Sequence, residues 1–149
     1  MGSYQKIIVG TDGSDTSMLA VDRAGAIAGD ASAELVILCA YEPAGRDEVR
    51  AASDALKEDA YQIVGSAPAE SVLRDAADRA RSGGASKITT LAVQGSPVDA
   101  LGHTVEEQNA DLLVVGSVGL NTLSGRILGS VPQSVARRSG VDVLIVHTT

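Results

Sequence analysis

The stretch Asp111–Val131, DLLVVGSVGLNTLSGRILGSV, decides the fold. An apolar strand, Asp111 to Gly116, runs into a glycine-rich loop, and Gly129-Ser130 then opens a helix. The spacing is G-x-x-G, nine residues, G-S, carried by Gly116, Gly119, Gly129 and Ser130. A main-chain loop that leads into a helix N-terminus suits phosphate, because free N–H groups and the positive end of the helix dipole both favour an anion there. Arg126 is the only basic residue inside the loop.

Working outward, four more strand-like runs stand out: Lys6–Gly10 (KIIVG), Glu34–Tyr41 (ELVILCAY), Ile88–Val93 (ITTLAV) and Val141–His147 (VDVLIVH). The first, the second and the Asp111 run are apolar at nearly every position, as strands covered on both faces are. Thr89 and Thr90 mark the Ile88 run as a more exposed edge. Helical patterns lie between the runs. Ser14 caps a helix with Ala20, Val21, Ala24, Ile27 and Ala28 inward. Pro68–Arg81 places Val72, Leu73, Ala76, Ala77 and Ala80 on one face. Ser96-Pro97-Val98-Asp99 combines a capping serine, a first-turn proline and a first-turn acid, ahead of Leu101 and Val105. Ser130 caps a last helix that tolerates Pro132 in its first turn, carries Arg137 and Arg138 in its last, and stops at Gly140. Gly45–Gln62 reads as an excursion or a short helix.

Alternating strands and helices predict an α/β fold: a doubly wound, five-stranded parallel sheet, Rossmann-like, with helices on both faces and residues 1–149 forming one domain. Ligands bind such sheets beyond the carboxyl ends of the strands, where strand order reverses. In the order 3-2-1-4-5, strands one and four are neighbours at that point. The loop Gly10–Ser14 and the loop from Gly116 then converge on one crevice. Gly10 permits close ligand approach, and Asp12 is a candidate ligand carboxylate.

The formal charge is −7, with no Phe, no Trp and three Tyr. That excludes an electrostatic nucleic-acid surface and base-stacking platforms. A mononucleotide remains compatible, since backbone amides hold phosphate without a basic patch. Cys39 is the only cysteine and sits in an apolar run, so it reads as a small buried hydrophobe. His103 and His147 have no second ligand at metal-binding spacing. The acids of the segment DEVRAASDALKEDA (47–60) read as a solvated helical face. No signal-peptide pattern opens the chain, and no apolar run approaches the roughly 20 residues of a membrane span, so a cytoplasmic protein is expected.

Taken together, Gly10-Thr11-Asp12-Gly13-Ser14, the turn Gln94-Gly95-Ser96-Pro97, the run Asp111–Gly116, the glycine signature and the closing apolar strand resemble the universal stress protein family along the whole chain. The signature resembles the branch of the family that binds adenine nucleotides. The resemblance implies ATP, AMP or cyclic AMP as ligand, with Thr11 and Asp12 beside the adenosine. It implies main-chain groups of Cys39 and Ala40 at the adenine edge and Gly116 and Gly119 close to ribose and phosphates. Gly129, Ser130 and Val131 would hold the phosphates, and Arg126 is a further candidate phosphate contact. It also implies a homodimer through the last strand, residues 141–147. That strand is apolar on both faces yet lies at a sheet edge, which aggregates unless it pairs.

Two function classes follow. One is a nucleotide-binding regulator, sensor or buffer without strong chemistry. The other is a weak ATP hydrolase or nucleotidyl-transfer enzyme on the same fold, helped by Mg²⁺ offsetting phosphate charge. The Walker pattern is missing, with Leu128 standing where a lysine would be needed. A hydrolase elbow is missed because Val115 precedes Gly116-Ser117. A flavodoxin-like carrier lacks aromatic residues for its flavin. A phosphoacceptor receiver lacks the aspartate that would follow strand three, which ends at Val93-Gln94.

Overall fold

The computed structural model describes residues 4–42, 66–117 and 141–148. Within them lie β1 (Lys6–Gly10), α1 (Asp15–Ala31), β2 (Glu34–Tyr41), α2 (Ser66–Ser82), β3 (Lys87–Gln94), α3 (Pro97–Gln108), β4 (Leu112–Gly116) and β5 (Asp142–Val146). The expected last helix with Ser130, Pro132, Arg137, Arg138 and Gly140, and the segment Gly45–Gln62, lie outside the described residues.

The five strands form one sheet in the order β3-β2-β1-β4-β5, with every pairing parallel. This is the doubly wound α/β arrangement expected from the sequence. Side chains alternate across it with period two. Ile7, Val9, Leu35, Ile37, Cys39, Leu112 and Val114 face one side, under α1 and α2. Ile8, Val36, Leu38, Leu113 and Val115 face the other, under Ala100, Leu101 and Val105 of α3. Both faces are covered, which is why β1, β2 and β4 are apolar almost without interruption. β3 is the outer strand beyond β2 and is largely exposed at Thr89 and Thr90, as expected of an edge. It runs one residue further at each end than the apolar run suggested.

α1 and α3 begin where their sequence signals stand. Ser14 caps α1, its side chain accepting from the Ser17 N–H, and Ser96 caps α3, accepting from the Asp99 N–H. Both helices end on a non-glycine residue in the left-handed region, Ser32 (φ 54°) and Asn109 (φ 53°). Ser32 donates its N–H back to Ala28 and Gly29, and Asn109 to Val105 and Glu106. α2 extends two residues before the expected Pro68 and adds Ala69 to the buried face of Leu73, Ala76 and Ala80.

The amino end of the sheet is held by polar contacts. The Asp111 carboxylate accepts from the N–H of Gln5 (2.9 Å) and of Lys6 (3.1 Å). The Tyr4 hydroxyl donates to Asp142 on β5 (3.0 Å), and that bond raises the phenol pKa above its ordinary value.

Candidate functional site

The order reverses at β1, whose neighbours are β2 and β4. The carboxyl ends of these strands and the amino ends of α1 and α3 meet there. A small cavity opens between them, lined by Gly10, Thr11, Asp12, Leu38 and Ala40 from the sheet side and by Pro97 and Leu101 of α3. Its volume is about 20 Å³, room for roughly one water.

The wall formed by the Gly10–Ser14 turn is a dense hydroxyl and amide network. Thr11 leaves the sheet by donating its N–H to the Leu38 carbonyl (2.9 Å). Its buried hydroxyl pairs with that of Ser17 (2.7 Å) and accepts from the Gly13 N–H (3.1 Å). Asp12 Oδ1 accepts from the Ser14 N–H (2.9 Å), a local turn that fixes the carboxylate at the mouth of the cavity. Gly13 sits at φ 86°, in the left-handed region that its lack of a side chain makes accessible. The turn is thus pinned from within by its own hydrogen bonds.

Ala40 sits where β1 has left β2. The Leu38 carbonyl accepts from Thr11, whereas the Tyr41 carbonyl accepts from Gly95 on the β3 side (2.9 Å). Main-chain groups along a parallel strand alternate between neighbours. Those of Ala40 therefore face the side that β1 has vacated, which is the cavity. A neighbouring N–H and C=O in that position match the acceptor and donor along one edge of a heterocyclic base.

The structure brings Gly10, Thr11, Asp12 and Ala40 together around this cavity. Cys39 lies beside it, with its side chain turned into the opposite core under α1 and α2. Burial pushes its thiol up to about 12, with Asp12 and then Glu70 adding to the shift. Gly116 ends the adjacent strand β4. A methyl there would lie 3.2 Å from Thr148 Cγ2, a tight contact, so its bareness eases the packing of β4 against the chain after β5, while the Thr16 carbonyl of α1 would stand at an ordinary 3.7 Å. Ser117 continues that contact, its N–H donating to the Val146 carbonyl (2.9 Å) and its hydroxyl accepting from the Thr148 N–H (3.1 Å). Gly119, Arg126, Gly129, Ser130 and Val131 lie outside the described residues.

Sequence reasoning missed Ser17, Leu38, Pro97 and Leu101 as parts of this site. The signal for Pro97 and Leu101 was present: a helix that starts immediately after β3 must bring its first turns over the carboxyl end of the sheet. Leu38 and Leu101 read only as core. His103 and His147 are exposed. Among the described residues no three His, Cys, Asp or Glu side chains gather as a metal site, and no helix is long and apolar enough to cross a membrane.

Comparison with known proteins agrees with this fold. The sequence pattern of the universal stress protein family matches residues 3–147. A universal stress protein of Mycobacterium tuberculosis, Rv1636, is 53% identical over 149 residues, covering 100% of both chains. Its crystal structure superposes with a TM-score of 0.63 at 46% identity, covering 100% of this chain and 99% of that one. The crystal structure of a universal stress protein in complex with cAMP is 50% identical, with a TM-score of 0.74 and 98% of each chain covered. A match that runs through every strand of the sheet and through the turn that walls the cavity leaves one conclusion: the chain belongs to the universal stress protein family.

Proposed function

We propose that this protein binds an adenine nucleotide and serves as a nucleotide sensor or buffer in a stress response. The observation that carries the reading is the cavity at the switch point, where the Gly10–Asp12 turn faces the main chain of Ala40. The relative crystallised with cAMP, which shares half its residues over nearly the whole chain, supports the same ligand class here.

In this reading the Ala40 main chain, with Cys39 beside it, takes the edge of the adenine. Asp12 offers its second carboxylate oxygen to a ribose hydroxyl, and Thr11 holds the turn that presents it. Gly116 and Gly119 let the backbone approach the ribose and phosphates. Gly129, Ser130 and Val131 supply N–H groups and a hydroxyl to the phosphates, and Arg126 adds a positive charge. Cyclic AMP, AMP and ATP all fit this description, and Mg²⁺ would assist the triphosphate by offsetting its charge. The protein works in the cytoplasm as one domain over residues 1–149, paired as a homodimer through residues 141–147. Binding acts as a signal to the extent that the nucleotide favours one conformation of the glycine loop and dimer surface over another.

Calorimetric titration with cAMP, AMP and ATP, with and without Mg²⁺, tests the reading. Saturable binding of at least one of them, weakened by Asp12→Ala, is the expected result. Flat titrations with all three would overturn it. Sustained ATP turnover that disappears in Asp12→Asn would move the assignment to the hydrolase reading.

A further inference from the structure

We propose that Leu101 determines which bases the site admits, an inference that rests on the nucleotide reading above. On the sheet side, Gly10 has no side chain and Ala40 has one methyl, while Leu38 is held in the strand at 2% exposure. Over Gly10 and Ala40 the cavity is closed from the helix side, by Pro97 and Leu101. Pro97 is a rigid ring held at the start of α3 by the Ser96 cap. Leu101 is fully buried, and its isobutyl group covers the Gly10 Cα. A methyl built on Gly10 would meet Leu101 Cδ2, Cδ1 and Cγ at 3.2, 3.6 and 3.8 Å. The remaining space takes about one water. A base that slides along the Ala40 main chain toward Gly10 displaces that water and meets Leu101. On the helix side Pro97 is a rigid ring and Leu101 has rotatable side-chain torsions, so the leucine is the part of that side that yields to the ligand and limits how large the ligand can be.

The consequence is a change of selectivity when the leucine is cut back. Wild type, Leu101→Ala and Leu101→Val are titrated as full-length protein with cAMP and with cAMP analogues bearing a bulky alkyl or benzyl group at N6, C2 or C8. For at least one analogue the affinity relative to cAMP rises roughly tenfold or more in Leu101→Ala, and by less in Leu101→Val. Leu73→Ala, at an equally buried leucine of α2 on the other face of the sheet, leaves that ratio unchanged and controls for general loosening. Where Leu101→Ala fails to fold, the smaller truncation in Leu101→Val decides. Ratios equal to wild type for every analogue in a folded Leu101 variant overturn the proposal while leaving nucleotide binding intact. A wild-type protein that binds no adenine nucleotide overturns the function itself, and this inference with it, before any variant is made.

Discussion

Gly25 of α1 lies directly against Ala80 of α2: a Cβ on Gly25 would come within 2.9 Å of both the Cα and the carbonyl oxygen of Ala80. One turn on, a Cβ on Gly29 would be 2.7 Å from the Gly84 carbonyl. The helices approach here through backbone, and Arg79 closes the same seam by donating to Asp22 (Nε to Oδ1, 2.9 Å). Gly25→Ala therefore sets two effects against each other. Alanine is the better helix former by about 0.8–1 kcal/mol. The backbone contact has no side chain to move aside, and overpacking of this kind costs about 1–3 kcal/mol. The clash wins, so the denaturation midpoint falls in Gly25→Ala. A midpoint equal to or above wild type would mean that the helices separate freely.

Asp111 ties β4 to the chain entering β1 through two amide donors, those of Gln5 and Lys6. Removing the carboxylate leaves both N–H groups to water, which reaches this end of the sheet. Asp111→Ala is expected to cost about 1–2 kcal/mol, at the lower end for hydrogen bonds to a charged group. Asp111→Asn, with one accepting oxygen, costs less. Hydrogen exchange checks the location of the effect: the Gln5 and Lys6 amides lose protection in Asp111→Ala, while those of α2 do not.

The parts of this structure that were legible in the sequence are those decided by neighbours along the chain or by simple burial. β1, β2 and β4 announced themselves because a strand covered on both faces has no polar position to alternate with. Ser14 and Ser96-Pro97 announced their helices because a cap satisfies its own first turn. The alternation of strands and helices pointed to the doubly wound sheet, whose order 3-2-1-4-5 the structure has, and the end of β2 entered the site only through the family resemblance. What was hidden depends on partners far away in sequence. Nothing near Gly25 or Gly29 shows that the end of α2 will lie against them. Ser32 and Asn109 end their helices without the glycine that usually marks such a stop. Cys39 and Ala40 are adjacent in an unbroken apolar run, and only the pairing of β2 with β3 shows which of them presents its main chain to the cavity. Leu101 carried a correct expectation of burial and no hint that it would lie over Gly10.

Cys39 gives a dependence on pH with a defined sign. Its thiol is raised from 9.0 in an open environment to about 12 in the fold, chiefly by burial. A folded-state value above the unfolded one means that the fold prefers the protonated form. The contribution is fully present below pH 9 and is lost as pH rises toward 12. Wild type should therefore lose more stability than Cys39→Val across that window, while the two run in parallel at lower pH. Tyr4, also raised, has the same sign, so the comparison is made between the two variants and not on wild type alone. Thiol labelling near pH 8 should be slow and should accelerate only under unfolding conditions. Rapid labelling of the native protein would contradict the burial of Cys39.

The outer strand β5 offers a test of the proposed homodimer. Among the described residues it pairs with β4 alone, and its Ile145 is 43% exposed, one of two large apolar side chains so open there. An open apolar edge invites pairing with another chain, and two copies joined by a two-fold axis bury it symmetrically. Ile145→Lys places a charge in that seam without removing a buried group, so folding is retained and association is lost. Sedimentation of wild type should give a dimer and of Ile145→Lys a monomer, with matching circular dichroism. A variant that remains dimeric would move the interface away from β5. A wild type that is monomeric at high concentration would mean that this edge is protected within the chain itself.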